Sequence, residues 1–439
     1  MHLPLGRLAS LLVSAVLAAA PLRAAVDLDR DGVSDVWRTV FPAAGAATAD
    51  PDGDGADNLA ESLAGTSPFS AASVLAANPV TDGSGNLVVR WPGLRVKRYQ
   101  IESSTDLATW SAEGSALAPD ADGDLAAIVR PANSGAAETR RFWRIAVSDI
   151  DTDADGYSDW EEHQFGGSPA VAQLPLHTPF YVFANGNCMG GLTPAAQVGV
   201  CQTFGYTGIV LDGFNPESLA AFAALPDVKA GRFRVHAAYW WHNLTDTLDE
   251  AWFDRCLDQA KLMGTRIWIT IAADNTPANR TKGIERYKRF ANRCQAKGVP
   301  FVVYPHAGCV WPAASDGLEV LAQLTAAGYP NVKMTFGLYH ELNAGKGSVL
   351  AATATAVKAA TSDVVVYGTD TSNTGAIKAL GDGTYDVAPF LKILSDQGFT
   401  QPVSLLTWGL PVPSPTDPNT HLARSMRKWR QLVAPPPAP

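Results

Sequence analysis

Residues 301–308 read FVVYPHAG. An apolar, β-branched run stops abruptly at Tyr304, Pro305 and His306, and a Gly closes it. Such a run fits a strand buried on both faces, as in a parallel sheet, and its polar end marks the sheet's carboxyl edge, where sites form. Residues 331–343, NVKMTFGLYHELN, repeat the pattern and deliver His340 and Glu341. Outward from these two, strand-like runs fall near 180–184, 208–212, 232–239, 266–272, 299–304, 332–337, 363–367 and 401–408. Amphipathic stretches at 193–204, 249–263, 281–297, 316–327, 386–397 and 418–432 lie between and after them. Eight β/α units in about 255 residues predict a (β/α)8 TIM barrel over 175–433.

The N-terminal part has a different texture. Residues 27–35 read DLDRDGVSD, 50–61 DPDGDGADNLAE and 151–162 DTDADGYSDWEE. Acidic residues at alternate positions of a tight loop converge on one point, the Gly permits the turn, and a Glu at the twelfth position closes an oxygen shell. The spacing therefore predicts calcium. Asp50, Asp52, Asp54, Asn58 and Glu61 make one ligand set, and Asp151, Asp153, Asp155, Asp159 and Glu162 another. Asp27, Asp29, Asp31 and Asp35 start a third, weaker set, because Arg38 stands where the Glu belongs. The expected role of the ion is structural, stiffening joints between modules.

Between the loops, short runs at 87–91, 98–102, 126–129 and 142–147 alternate and are separated by Gly and Asp-Gly turns, which predicts a small β-sandwich. The fold class is thus α/β, with a C-terminal (β/α)8 barrel and an N-terminal β-sandwich flanked by calcium-binding loops. The expected boundaries are 1–24 signal peptide, 25–75 loop pair, 76–148 sandwich, 149–174 third loop and linker, 175–433 barrel, and 434–439 Pro-rich tail.

Arg7 followed by the apolar run Leu11 to Ala20 and a small residue before Ala25 reads as a secretory signal, too short to remain as a membrane span. A secreted or periplasmic location is expected, with no membrane span after removal of the signal. The net charge of -9 and pI near 5.4 argue against nucleic acid as a partner. Five cysteines, an odd number, leave at least one thiol unpaired, and Cys188 with Cys309 is the favoured pair because both follow predicted strands.

Several segments resemble known families. The three acidic loops look like thrombospondin type 3 or dockerin-like calcium repeats. YQIESSTDLATW with RRFWRIAVS is similar to fibronectin-type-III-like modules, read here as a spacer. FYVFANGNCMGGLTPAAQVGVCQTFGYTGIVLDG, YPHAG, PNVKMTFGLYHELN and GTYDVAPFLKILSDQGFTQPVSLLTWG, in that order, resemble the xylose-isomerase-like barrels of the sugar phosphate isomerase/epimerase group. That resemblance implies one divalent metal at the barrel mouth, held by carboxylates and histidine, that polarises a hydroxyketone or aldehyde during proton transfer. Carried over by position, the carboxylate ligands fall on Tyr304, Gly337, and Leu406 or Thr407, whereas His306 and His340 match recurring histidines. Tyr, Gly and Leu do not build a hard-oxygen site.

The residues left for chemistry at the predicted mouth are Asp212, His242, Asp274, His306, His340, Glu341 and Asp370. Of these, His306, His340, Glu341, Asp212 and Asp274 form the catalytic set. Tyr239, Trp240, Trp241, Trp311 and Trp408 are expected to line a sugar-binding surface, since indole and phenol faces stack on the apolar C–H faces of sugars. Three readings follow: a sugar isomerase or epimerase, a barrel that binds sugar after losing its metal, and a glycoside hydrolase using Asp212 and Glu341.

Overall fold

The computed structural model describes residues 26–131, 141–186 and 188–435. The expected signal peptide and the last residues of the Pro-rich tail lie outside the described residues. The chain divides into two compact units at residues 172 and 173.

In the first unit each acidic segment runs into a short helix: α1 (Asp35–Val40), α2 (Asn58–Ala64) and α3 (Asp159–Phe165). Ser34, Asp57 and Ser158 cap these helices by accepting from backbone N–H groups, which fixes where each loop ends. The segments do not form separate joints, as the sequence suggested. Val26, Val33, Val36, Trp37, Ala44, Tyr157, Trp160 and Phe165 bury one shared core. Glu161 stitches it: its Oε1 accepts from the Val26 N–H at 3.3 Å and from Ser34 Oγ at 2.5 Å. The Ser34 N–H donates to Ser62 Oγ at 2.9 Å, tying in the second loop.

The intervening chain forms β1 (Asn78–Thr81), β2 (Leu87–Gly93), β3 (Lys97–Ser104), β4 (Ser111–Leu117), β5 (Gly123–Arg130) and β6 (Phe142–Asp149). They pair as two antiparallel three-stranded sheets, β1-β2-β5 and β4-β3-β6. Val89, Trp91 and Val129 from one sheet and Tyr99, Ile101, Trp143, Ile145 and Val147 from the other share a core. β1 and β4 were not among the expected strands, since nearly every residue in them is exposed and no apolar alternation marks them.

The second unit holds a closed barrel of eight parallel strands. In chain order they are β7 (Phe180–Ala184), β8 (Gly208–Asp212), β9 (Arg234–Asn243), β10 (Arg266–Ala272), β11 (Phe301–Val303), β12 (Lys333–Gly337), β13 (Thr361–Val366) and β16 (Val403–Leu406). A small hairpin, β14 (Gly368–Asp370) with β15 (Asn373–Lys378), follows β13. The helices are α4 (Pro194–Thr203), α5 (Pro216–Ala223), α6 (Pro226–Lys229), α7 (Glu250–Met263), α8 (Pro277–Lys297), α9 (Ala314–Ala326), α10 (Leu338–Asn343), α11 (Leu350–Val357), α12 (Ala388–Asp396) and α13 (His421–Leu432). Start and stop signals are local. Thr193 and Thr276 cap helices that open on Pro, and Gly264 and Gly298 end α7 and α8 in the left-handed conformation. All five cysteines are buried free thiols, so the expected Cys188–Cys309 bond is not formed. Instead Thr407 Oγ1 donates to Cys188 Sγ at 2.7 Å, and Cys309 Sγ lies 3.8 Å from His306 Nδ1.

The amino-terminal end of the barrel is locked by a buried ionic cluster. Asp363 on β13 bonds His236 Nε2 of β9, accepts from Arg266 Nη1 of β10 at 3.0 Å and from Ser362 Oγ at 2.5 Å. Three strands are thereby pinned in register around one carboxylate.

Candidate active site at the barrel mouth

Alternation along β9 sorts its aromatic side chains. Tyr239 points into the barrel, against Phe183 and Tyr304. Trp240 points out, between Phe214, Trp252, Phe253 and Phe290 of the helical layer. Trp241 reaches the mouth, and His242 faces outward again, against Phe290 and bonded through Nε2 to Arg286.

The interior is filled by a column of rings. Phe183 packs edge-on against Trp268, Tyr239 and Tyr304 at centroid distances of 5.5, 5.3 and 6.0 Å. Above them Tyr304 meets His340 at 5.1 Å, His340 meets His306 at 4.2 Å, and His306 meets Trp241 at 4.9 Å. Only the top of the column reaches solvent, where Trp241 is 44% exposed. Gly337 makes room for it, because a Cβ there would come within 3.0 Å of the His340 ring.

The hydrogen bonds fix the protonation of both histidines. The Ala307 N–H donates to His340 Nδ1 at 3.1 Å, so Nε2 carries the proton and donates to Tyr304 Oη at 3.1 Å. The Ala307 carbonyl accepts from His306 Nδ1 at 2.7 Å, which leaves His306 Nε2 as an acceptor. Burial, and then the neighbouring His306, hold the His340 pKa well below the ordinary imidazole range; burial lowers that of His306 as well. Burial likewise pushes the Tyr304 phenol well up.

The structure scatters the other expected catalytic residues. Glu341 is fully buried and its Oε1 accepts from the Ala314 N–H at 2.7 Å, at the start of α9. Burial lifts its pKa to about 7. Asp274 is exposed in the loop after β10. His242 belongs to the helical layer rather than the mouth, and burial with the Arg286 charge lowers its pKa to about 4. Asp370 pairs with Lys378 at 2.6 Å within the hairpin. Trp311 and Tyr239 are buried and Trp240 is packed outward, so of the five expected sugar-stacking residues only Trp241 and Trp408 offer an exposed face.

A consequence for pH follows from His242 and His421, which is also lowered to about 4 by burial first and Arg424 second. The unfolded chain takes up protons near pH 6.5, but these folded imidazoles do not. Their contribution to stability is full above about pH 6.5 and is lost as the pH falls toward about 4, by on the order of 3 kcal/mol for each. Glu341, raised to about 7, acts in the opposite sense over the same window, so the histidines are read by difference: the melting temperatures of wild type and a His242→Gln, His421→Gln variant should draw together as the pH falls from 7 to 4. A gap that stays constant down to pH 4 would contradict this assignment.

The open part of the mouth lies to one side, over β7 and β8. A depression of about 290 Å³ is lined by Met189, Gly190, Gly191, Leu192, Gln197 and Asp212. Gly186 (φ 64°) organises its edge: its N–H donates to Asp212 Oδ2 at 2.8 Å, and a Cβ on it would fall 2.1 Å from the Trp408 ring. Trp408 is 58% exposed. Asp212 is exposed at the end of β8, with one carboxylate oxygen held by the Gly186 N–H. Gly186 and Gln197 were not singled out in the sequence; the glycine-rich run NGNCMGG after the first barrel strand was the available signal.

The acidic loops show a second kind of constellation. Ligand atoms of Asp27, Asp29 and Asp31, of Asp50, Asp52 and Asp54, and of Asp151, Asp153 and Asp155 each lie within 4.8 Å of one another. Asp35 and Asp159 instead accept from the backbone of Leu28 and Thr152 at 2.9 and 2.8 Å, and Asn58 donates to the Ala44 and Ala46 carbonyls. Glu61 is fully buried with both carboxylate oxygens unpartnered, and Asp52 Oδ2, Asp54 Oδ2 and Asp153 Oδ2 are also buried without partners. Burial, with Asp52 and Asp54 adding repulsion, lifts Glu61 to about 7. Among the described residues no comparable group of three converges in the barrel.

No protein-family profile and no curated protein matches this chain. Similar solved structures include 3-keto-D-glucoside 4-epimerase from E. coli, at 13% identity over 58% of this chain and 98% of that one, with a TM-score of 0.45. D-allulose 3-epimerase from Methylomonas sp., in complex with D-allulose, aligns at 15% identity over 58% and 96%, with a TM-score of 0.44. The probable 3-DHS dehydratase involved in petrobactin synthesis from Bacillus anthracis aligns at 12% over 57% and 98%, with a TM-score of 0.46. Likeness at this level carries nothing about substrate or chemistry.

Proposed function

We propose that this protein is an exported sugar-binding protein whose barrel does not perform metal-assisted isomerisation, and whose N-terminal unit is braced by calcium. The observation that carries the first part is the Tyr304–His340 hydrogen bond under the mouth. At the strand ends where the family resemblance asks for carboxylates, a phenol and an imidazole bond each other. His340 spends both ring nitrogens on the protein, and Glu341 is committed to the start of α9. The donor set does not fit a divalent metal, and a hydroxyketone has no reach to a base beneath the ring column.

A sugar is favoured as ligand by the pairing across Gly186. The exposed Trp408 face supplies a stacking surface, and Asp212 with Gln197 supplies acceptors and donors for hydroxyls. The glycoside hydrolase reading loses its support, because Glu341 is buried away from any solvent-accessible bond. The exported location rests on Arg7 and the apolar run from Leu11 to Ala20. No helix among the described residues is long and apolar enough to cross a membrane.

For the N-terminal unit the residues present fit the ion. Asp50, Asp52, Asp54 and Glu61 would hold one calcium, and Asp151, Asp153, Asp155 and Glu162 another. The unpartnered buried oxygens of Asp52, Asp54 and Glu61 are the fit: a buried carboxylate without donors is costly unless a cation completes it.

The test is direct. Purified full-length protein is titrated with a panel of mono- and oligosaccharides, read by indole fluorescence, and assayed for manganese, cobalt and zinc. Binding that weakens about tenfold in Trp408→Ala and Asp212→Asn, with no transition metal retained, is expected. Stoichiometric transition metal that disappears in His306→Ala, together with sugar interconversion, would overturn the proposal.

A further inference from the structure

The three acidic loops follow one backbone course, residue by residue. The fourth position is left-handed in each, with φ 61° at Arg30, 75° at Gly53 and 60° at Ala154, and the sixth is a Gly with φ 88°, 95° and 98°. The first Asp accepts from that Gly N–H at 2.9, 3.0 and 3.1 Å. The second Asp accepts from the third at 3.3 Å in all three loops. The third Asp, through Oδ1, accepts from the residue two further on at 2.9, 2.8 and 2.9 Å. These inner contacts are thus shared by all three loops, and the loops diverge in what the outer oxygen of the third Asp meets.

In the second loop Asp54 Oδ2 meets no protein donor, and the twelfth residue, Glu61, is buried beside it with two unpartnered oxygens. In the first loop the twelfth residue is Arg38. Its Nη2 bonds Asp31 Oδ2, the atom equivalent to Asp54 Oδ2, and its Nη1 donates to the Gly45 carbonyl at 2.8 Å. One side chain therefore replaces the closing carboxylate and delivers a positive charge to the outer oxygen.

We infer that the Arg38 guanidinium takes the cation's place in the first loop, so that the N-terminal unit binds two calcium ions and keeps its first loop folded without one. The inference rests on the calcium reading above. An ion entering the first loop would lose the bidentate twelfth ligand and would face a tethered charge of its own sign. The guanidinium, being planar and always charged, satisfies an aspartate without any dependence on free calcium.

Calcium bound per chain, measured on the chelator-stripped and reloaded full-length protein by equilibrium dialysis and native mass spectrometry, decides the matter. The expected count is two. Asp31→Asn should leave it at two, whereas Asp54→Asn should lower it to one. Arg38→Glu, which restores the twelfth carboxylate, should raise it to three. A count of zero in the wild type would remove the calcium reading itself. Three ions in the wild type, or a loss of one ion in Asp31→Asn, would overturn the role of Arg38 while leaving calcium binding in place; so would a folded Arg38→Glu that stays at two. The Asp31→Asn and Asp54→Asn pair keeps the comparison decisive even where Arg38→Glu does not fold.

Discussion

Glu61→Gln is expected to shift the unfolding of the N-terminal unit in opposite directions with and without calcium. With calcium at about a hundred times its dissociation constant, one site contributes about 2.7 kcal/mol. Losing most of it should lower the melting temperature of this unit by roughly 8 °C. In chelator the same substitution removes a buried, unpartnered carboxylate crowded by Asp52 and Asp54, so the variant should melt several degrees above the wild type. The pH dependence has a matching sign. Without the ion Glu61 keeps its proton up to about pH 7, whereas the unfolded chain releases it near the ordinary glutamate value of 4.5. A raised folded pKa gives stability that is complete below the unfolded value and is lost as the pH rises through the folded one. The chelated unit should therefore be more stable at pH 5 than at pH 8, and calcium should abolish that trend. Differential scanning calorimetry in both buffers reads both effects. An equal loss of stability in calcium and in chelator would show that Glu61 is merely a packing residue.

The second large effect lies at the other end of the chain's chemistry, at the base of the barrel. Asp363→Ala leaves the Arg266 guanidinium without its counter-charge and His236 Nε2 without its acceptor. Removing one member of a buried ionic cluster costs about 3–5 kcal/mol, which for a unit of this size lowers the melting temperature by roughly 10 °C. The contacts with His236 and Arg266 hold the Asp363 carboxyl below the usual range against the effect of burial. A depressed folded pKa means the contribution is present above about pH 4 and is lost as the pH falls through the folded value. The gap between wild type and variant should accordingly close in strong acid. Sugar binding at the mouth should survive at temperatures where the variant is folded. A variant melting within a degree of the wild type at pH 7 would mean that the cluster holds no register.

The barrel was legible because its strands announce themselves. FYVFA, GIVLD and RIWITIA are apolar without alternation, as strands covered on both faces must be. The helices of residues 216–229 and 350–357 were harder to see. PESLAAFA and LAATATAV carry small residues on most faces and have little amphipathic contrast. The acidic loops were legible in position but not in assembly. Nothing local in DTDADGYSDWEE says that Glu161 will reach Val26 and Ser34. The mouth was the least legible part. His306 and His340 were found by their place after strands, but their function depends on which atoms the Ala307 peptide engages, and that is a matter of loop conformation. The alternation that turns Trp240 and His242 outward was readable in principle, yet a bulge between Ile209 and Val210 on the neighbouring strand shifts the register there.

The bond from Glu161 back to Val26 also dictates an order of events. A chain made amino terminus first presents its first two acidic loops early, while Tyr157, Trp160 and Phe165, which complete their shared core, follow only after the two antiparallel sheets. The segment that emerges first is among the last to be finished, and until then Trp37 and Val36 stay open to water and to passing hydrophobic chains. Vectorial folding of the N-terminal unit is thus limited by the arrival of residues 157–165, a waiting time set by contact separation rather than by the strength of any one contact.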